Sequence, residues 1–198
     1  MLCLREKAFP FLDLEYLLTE FCRGLLKAGK FSLARSYLRG TSSASLATEN
    51  AEKLVIQAAR EYFFSASSLS CSEVKKAKDC LNLFPNSKNV KAEADIIDAL
   101  TVKLPYLGVT LLPVQFRQIK DPMEIIKMAV SSQAGAYLHV DELIEVAKLL
   151  GLNSWDEISS VEEIIAREAA VAGQTCGNLI MSGQTCGVDL IYIKDCIS

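Results

Sequence analysis

The stretch LEYLLTEFCRGLLKAGKFSLARSYL, Leu14 to Leu38, decides the fold class. Apolar residues recur three and four positions apart through Leu14, Leu17, Leu18, Phe21, Leu25 and Ala28, while Glu20, Arg23 and Lys27 fall on the opposite face. That period predicts an amphipathic helix over 13–28. Gly29 follows Ala28 and suits the left-handed conformation that ends helices, after which Phe31, Ala34 and Leu38 begin a second, shorter helix. The two read as an αα-hairpin.

The same pattern continues outward. GTSSASLA, Gly40 to Ala47, is a polar loop, and Thr48 is positioned to cap a helix over 49–65 with Ala51, Leu54, Val55, Ala58, Ala59, Tyr62 and Phe63 on its buried face. Glu49 and Lys53 add an i,i+4 pair on the wet side. Ser70 and Glu73 have capping-box spacing before Val74, Ala77, Leu81 and Phe84, and Pro85 stops that helix. A fifth helix, near 89–103, uses Val90, Ala94, Ile97, Leu100 and Leu104, with Pro105 at its end. Residues 105–120 form a connection rich in Pro and Gly.

Asp121-Pro122 then supplies an N-cap and a first-turn proline for a helix carrying Met123, Ile126, Ala129 and Val130. Asp141 is expected to cap the next helix, which Gly151 closes. Ser154 with Glu157, and Ser160 with Glu163, repeat the capping-box spacing before a last helix over 160–172. No period-two alternation bounded by turn signals occurs before residue 174. The body is therefore expected to be all-α, an α-solenoid fragment of stacked antiparallel helix hairpins, because the loops are uneven and no heptad is sustained. No period of 33–45 residues marks a regular repeat family.

Composition narrows the function. The 198 residues carry 21 basic and 24 acidic side chains, a net charge of −3, and the only basic cluster is Lys75, Lys76 and Lys78. A protein that neutralises several phosphates needs more than this, so no nucleic acid is expected as a partner. Mean hydropathy is +0.23, yet the most apolar window, Leu104 to Val114, is short and holds two prolines. No transmembrane segment is expected, since a spanning helix needs about 20 apolar residues. Arg5, Glu6 and Lys7 interrupt any secretory signal core, which points to a cytoplasmic chain. Seven cysteines at irregular spacings read as small apolar residues of a reducing compartment.

Each search for chemistry ends on an ordinary explanation. His139 is the only histidine, and at a helix entrance it reads as a loop residue hydrogen-bonded to backbone. The pairs Asp95 with Asp98 and Glu162 with Glu163 read as solvated helix faces, as do the three lysines. Trp155 reads as a packing plug between helices. No phosphate-cradling glycine motif is present. The sequence predicts no catalytic, cofactor-binding or metal site, no cofactor, and no enzyme.

Two long runs carry a resemblance. LPYLGVTLLPVQFRQIKDPMEIIKMAV (104–130) and LHVDELIEVAKLLGLNSWDEISSVEEIIAREAAVAG (138–173) resemble the α-helical secretory-pathway domain of the neuroblastoma-amplified sequence proteins, plant-type members above all, and 14–38 fits the same domain. The resemblance implies a scaffold subunit of an endoplasmic-reticulum vesicle-tethering complex acting in Golgi-to-ER retrograde transport. It implies other tethering-complex subunits and SNARE proteins as partners, and peripheral membrane association through them. Members of that family are far longer, so the chain is expected to be a truncated piece: an N-terminal arm over 1–12, the solenoid fragment over 13–173 and an atypical tail over 174–198. A solenoid end without its next repeat is expected to be marginally stable or to self-associate. The alternative is a helical-repeat scaffold module of another large assembly, of coat or proteasome-lid type.

The tail repeats GQTCG, with Cys176, Cys186 and Cys196 ten residues apart. That spacing fits no C-x₂₋₄-C zinc pair. Its glycines favour disorder, with a weak hairpin of Asn178 to Met181 and Val188 to Ile193, or a fraying helix, as the alternatives.

Overall fold

A computed structural model describes residues 13–39 and 46–181, and the side chains among them up to Gly173. All regular structure among the described residues is helical, as the sequence predicts. In chain order the elements are α1 (Leu14–Lys27), α2 (Phe31–Leu38), α3 (Thr48–Ser65), α4 (Ser72–Leu81), α5 (Lys88–Asp98), a π turn (Ala99–Lys103), α6 (Leu104–Tyr106), α7 (Pro113–Phe116), α8 (Pro122–Val130), a 3₁₀ turn (Ala136–Leu138), α9 (Val140–Leu149) and α10 (Trp155–Met181). The expected arm over 1–12 and the second GQTCG lie outside the described residues.

These helices belong to two compact units. The first holds the described residues up to Ile97 together with Leu112–Arg117, and the second holds Asp98–Leu111 and the described residues from Gln118 onward. The division falls at Ile97 and Asp98, in continuous helix, where composition carries no linker signal.

In the first unit the α1–α2 hairpin forms as read. The Asp13 carboxylate caps α1 by accepting from the Tyr16 N–H at 3.4 Å. Gly29 adopts φ +68°, and the Lys30 and Gly29 N–H groups donate to the Leu25 and Leu26 carbonyls, a Schellman ending open to glycine at little steric cost. Helix α3 packs against α1 and along α4. Leu18, Cys22, Leu26, Val55, Ala59, Phe63, Ala77 and Cys80 are buried there. Burial pushes the Cys22 thiol up to about 11 and the Cys80 thiol up to about 12, so both stay protonated, as small apolar core residues should.

The second unit is built around α8, α9 and α10. Ile125, Ile126, Val130, Leu143, Val146 and Val161 are fully buried, together with Leu104. Asp121 caps α8 as predicted, its carboxylate accepting from the Met123 N–H at 2.9 Å. Gly151 ends α9 at φ +95°.

Several helix boundaries differ from the sequence reading, each for a local reason. Pro105 does not stop the fifth helix at residue 103. The chain widens into the π turn, where the Leu104 N–H reaches the Ala99 carbonyl, and this extra residue per turn relieves the clash a proline ring makes with the preceding turn. The helix closes only after Tyr106, and the expected connection over 105–120 holds the single turn α7.

Caps shift as well. Ala47, not Thr48, stands at the α3 N-cap, and Cys71, not Ser70, at that of α4, its thiol donating to the Ser68 carbonyl at 3.0 Å. Asp141 lies inside the first turn of α9, where its charge meets the helix dipole rather than a capping hydrogen bond. Of the two capping boxes before the last helix, only the first forms. Ser154 and Glu157 satisfy each other's backbone N–H groups, so α10 starts at Trp155; Ser160 instead bonds back to the Asp156 carbonyl at 2.8 Å, in mid-helix. Helix α10 then runs past the expected end at 172 to Met181, so Asn178 to Met181 is helix and not the first strand of a hairpin.

Candidate interaction surface

No group of three or more His, Cys, Asp or Glu side chains converges among the described residues, and no polar or charged residue among them is fully buried. No described helix is long and apolar enough to cross a membrane. What the fold builds is surface.

A surface groove lies in the first unit, along one side of α3. Lys53, Ile56, Gln57, Arg60, Glu61, Phe64 and Ser65 recur at three and four along one stripe, and Arg117 closes the far wall from the end of α7. Between them runs a groove of ≈ 730 Å³, open to solvent. At 1.5 Å per residue, the stripe from Lys53 to Ser65 is about 18 Å long. Its floor is apolar at two points two turns apart, the half-buried Ile56 and Phe64.

The charges around the groove are placed by specific contacts. Arg60 grips Glu93 through two nitrogens, one of them at 3.0 Å, and this hydrogen bonding raises the guanidinium pKa further. Lys53 reaches Glu49 at 3.2 Å, the pair the sequence predicts, and Glu61 faces Lys27 at 3.6 Å. The Arg117 guanidinium stacks over the Phe64 ring at 5.7 Å, and no carboxylate among the described residues pairs with it. Exposed pairs of this type are worth little individually, so the ends of the groove remain electrostatically available.

The second unit exposes scattered large apolar side chains. Trp155 is 84% exposed, contrary to the expectation of a packing plug. The capping box sets it at the first position of α10, on the side away from Val161 and Ile165, which take the buried face. Tyr106, Val102, Leu138 and Val140 are also exposed.

The other residues singled out from sequence fall as follows. His139 sits at the N-cap of α9 with its Nδ1 3.7 Å from Glu142 and its ring edge-on to Tyr106, rather than bonded to backbone. Glu163 pairs with Arg167 at 2.6 Å on the wet side of α10. Lys76 lies over the Tyr62 ring and 3.9 Å from Glu73, so this lysine of the cluster is engaged within its own unit. Cys176 and Cys186 have no described side chains.

Sequence reasoning did not find the groove. One signal was present, because Ile56 and Phe64 are apolar residues off the buried stripe of α3. Nothing local places Arg117, more than fifty residues later, against them.

Comparison with known proteins gives the context of this surface. The family model described as secretory pathway protein Sec39 matches residues 5–172. MAG2-interacting protein 2 of Arabidopsis thaliana is 71% identical over 170 residues, which is 86% of this chain and 7% of that protein. The NBAS subunit of NRZ tethering complex of Homo sapiens is 34% identical over 103 residues, 52% of this chain and 4% of that protein. The chain thus spans a small part of the length of the curated relatives it matches. No solved structure matches it.

Proposed function

The chain belongs to the Sec39 family of secretory pathway proteins, and from that membership we propose that it is a scaffold segment of an endoplasmic-reticulum tethering complex. In this reading it works through protein–protein contacts on helix faces, as part of an α-solenoid in a protein of retrograde Golgi-to-ER transport. Its partners are other subunits of the complex and SNARE proteins, and these hold it at the cytoplasmic face of the membrane.

The observation that carries the proposal is the 71% identity that runs through 170 residues to a plant protein named for an interaction partner. A match of that length and density preserves core and surface together. The surface agrees in kind: an open groove and exposed aromatics suit recognition by other proteins. A scaffold also needs no convergent catalytic groups.

Binding to purified MAG2, the protein for which the Arabidopsis relative is named, tests the proposal. The 198-residue chain, shown to be helical by circular dichroism, is immobilised and MAG2 passed over it. Saturable retention is expected. A folded chain that retains no MAG2, and no other subunit of the plant tethering complex, overturns the assignment.

A further inference from the structure

We propose that the groove along α3 is a docking site for an amphipathic helix whose apolar stripe is flanked by acidic residues. The inference rests on the scaffold reading above and adds to it the chemistry of one partner.

Shape comes first. The groove follows a single helix face for about three turns, so it matches a linear ligand with side chains repeating at helical spacing. It is a poor fit for a small molecule, whose pockets enclose most of the ligand surface, because this groove is open along its length and walled by Lys53, Gln57 and Glu61. Ile56 and Phe64 lie eight residues apart, about 12 Å along the axis, which is the separation of apolar residues at i and i+7 or i+8 on a facing helix.

Charge comes second. The groove is lined by three cations, Lys53, Arg60 and Arg117, and one carboxylate, Glu61. Arg60 is held by Glu93 through two nitrogens, while Lys53 has only an exposed i,i+4 contact with Glu49 at 3.2 Å, which is worth little; this leaves Arg117 at one end of the stripe and a weakly held Lys53 near the other. A helix with carboxylates beside its apolar stripe would meet Lys53 at one end and Arg117 at the other. A basic helix would meet two like charges there. The Arg117 guanidinium lies over the Phe64 ring at 5.7 Å, a cation–π contact that lowers the ordering needed on binding.

The test is selection from a display library of helix-stabilised 20-residue peptides of unbiased composition, against the whole 198-residue chain. Selected binders are expected to carry apolar residues at helical spacing with an excess of Asp and Glu beside them. Their affinity should fall by about tenfold or more in the double variant Lys53→Glu, Arg117→Glu, and also in Ile56→Ser, each with the helical circular dichroism of the parent. Raising the salt concentration should weaken the parent and bring it toward the double variant. No selected binder, binders enriched in Lys and Arg, or binders indifferent to these substitutions would each overturn the proposal. So would sedimentation with phosphatidylserine vesicles that Arg117→Glu abolishes, if no peptide competes, since that outcome assigns the cations to a lipid surface. The selection does not involve MAG2, so a failed groove and a failed tether assignment are told apart.

Discussion

The Tyr62 hydroxyl donates to the Leu26 carbonyl at 2.8 Å and lies 2.9 Å from that of Lys27, joining the end of α1 to the last turn of α3 across 36 positions of sequence. Those carbonyls belong to the last turn of α1, where no further backbone N–H is available within the helix. One side chain of α3 thereby completes the cap that Gly29 begins. Phe31 packs edge-on against the same ring, so the α1–α2 turn is fastened by a single residue.

Tyr62→Phe keeps the ring and removes that donor. The expected loss is about 1 kcal/mol of unfolding free energy, read by urea denaturation. Burial raises the Tyr62 pKa above the ordinary tyrosine value. A raised folded-state pKa means stability that is fully present below the unfolded value and lost as pH rises through the folded one. The parent should therefore lose stability more steeply than Tyr62→Phe in the alkaline range, and parallel curves would show that the hydroxyl is not engaged.

Ser154 and Glu157 make the reciprocal capping box of α10. Ser154→Ala should destabilise by about 1 kcal/mol. Hydrogen bonds from the Ser154 side chain, then from the Ser154 and Asn153 backbone, hold the Glu157 carboxyl below its usual range. A depressed carboxyl pKa contributes stability above the unfolded value that is lost as pH falls through the folded one. Comparing Glu157→Gln with the parent at pH 7 and in the acid range checks this, the gap between them closing at low pH.

Leu143 and Trp155 provide a contrast within one unit. Leu143 is fully buried, and Leu143→Ala should cost about 3 kcal/mol through lost transfer energy and a residual cavity. Trp155→Ala removes a larger side chain yet should stay within about 0.5 kcal/mol of the parent, because the indole is in solvent. A shared melting shift for the two would contradict the exposure seen here.

Cysteine reactivity should follow burial. Cys22 and Cys80 are buried, with thiols pushed up to about 11 and about 12, whereas Cys71 is partly exposed at the start of α4. Under native conditions at neutral pH, iodoacetamide should modify Cys71 and leave Cys22 and Cys80 unmodified until denaturant is added, as peptide mass spectrometry would record.

Much of the molecule follows from the sequence alone, and for one reason: helix periodicity and caps are properties of neighbours in the chain. The α1–α2 turn at Gly29, the Asp121 cap, the Glu49–Lys53 pair and the Ser154–Glu157 box all lie within five residues, and each forms as read. Long matched runs identified the family in the same way, from order along the chain. Tertiary structure decided the remainder. It carried the fifth helix through Pro105 on a π turn, turned Trp155 outward, and split the helices into two units inside a continuous helix. It also set Arg117 over Phe64, fifty-three residues away, and so made the groove. Periodicity specifies which face of a helix is buried, but only the packing of distant segments specifies what stands beside the face left open.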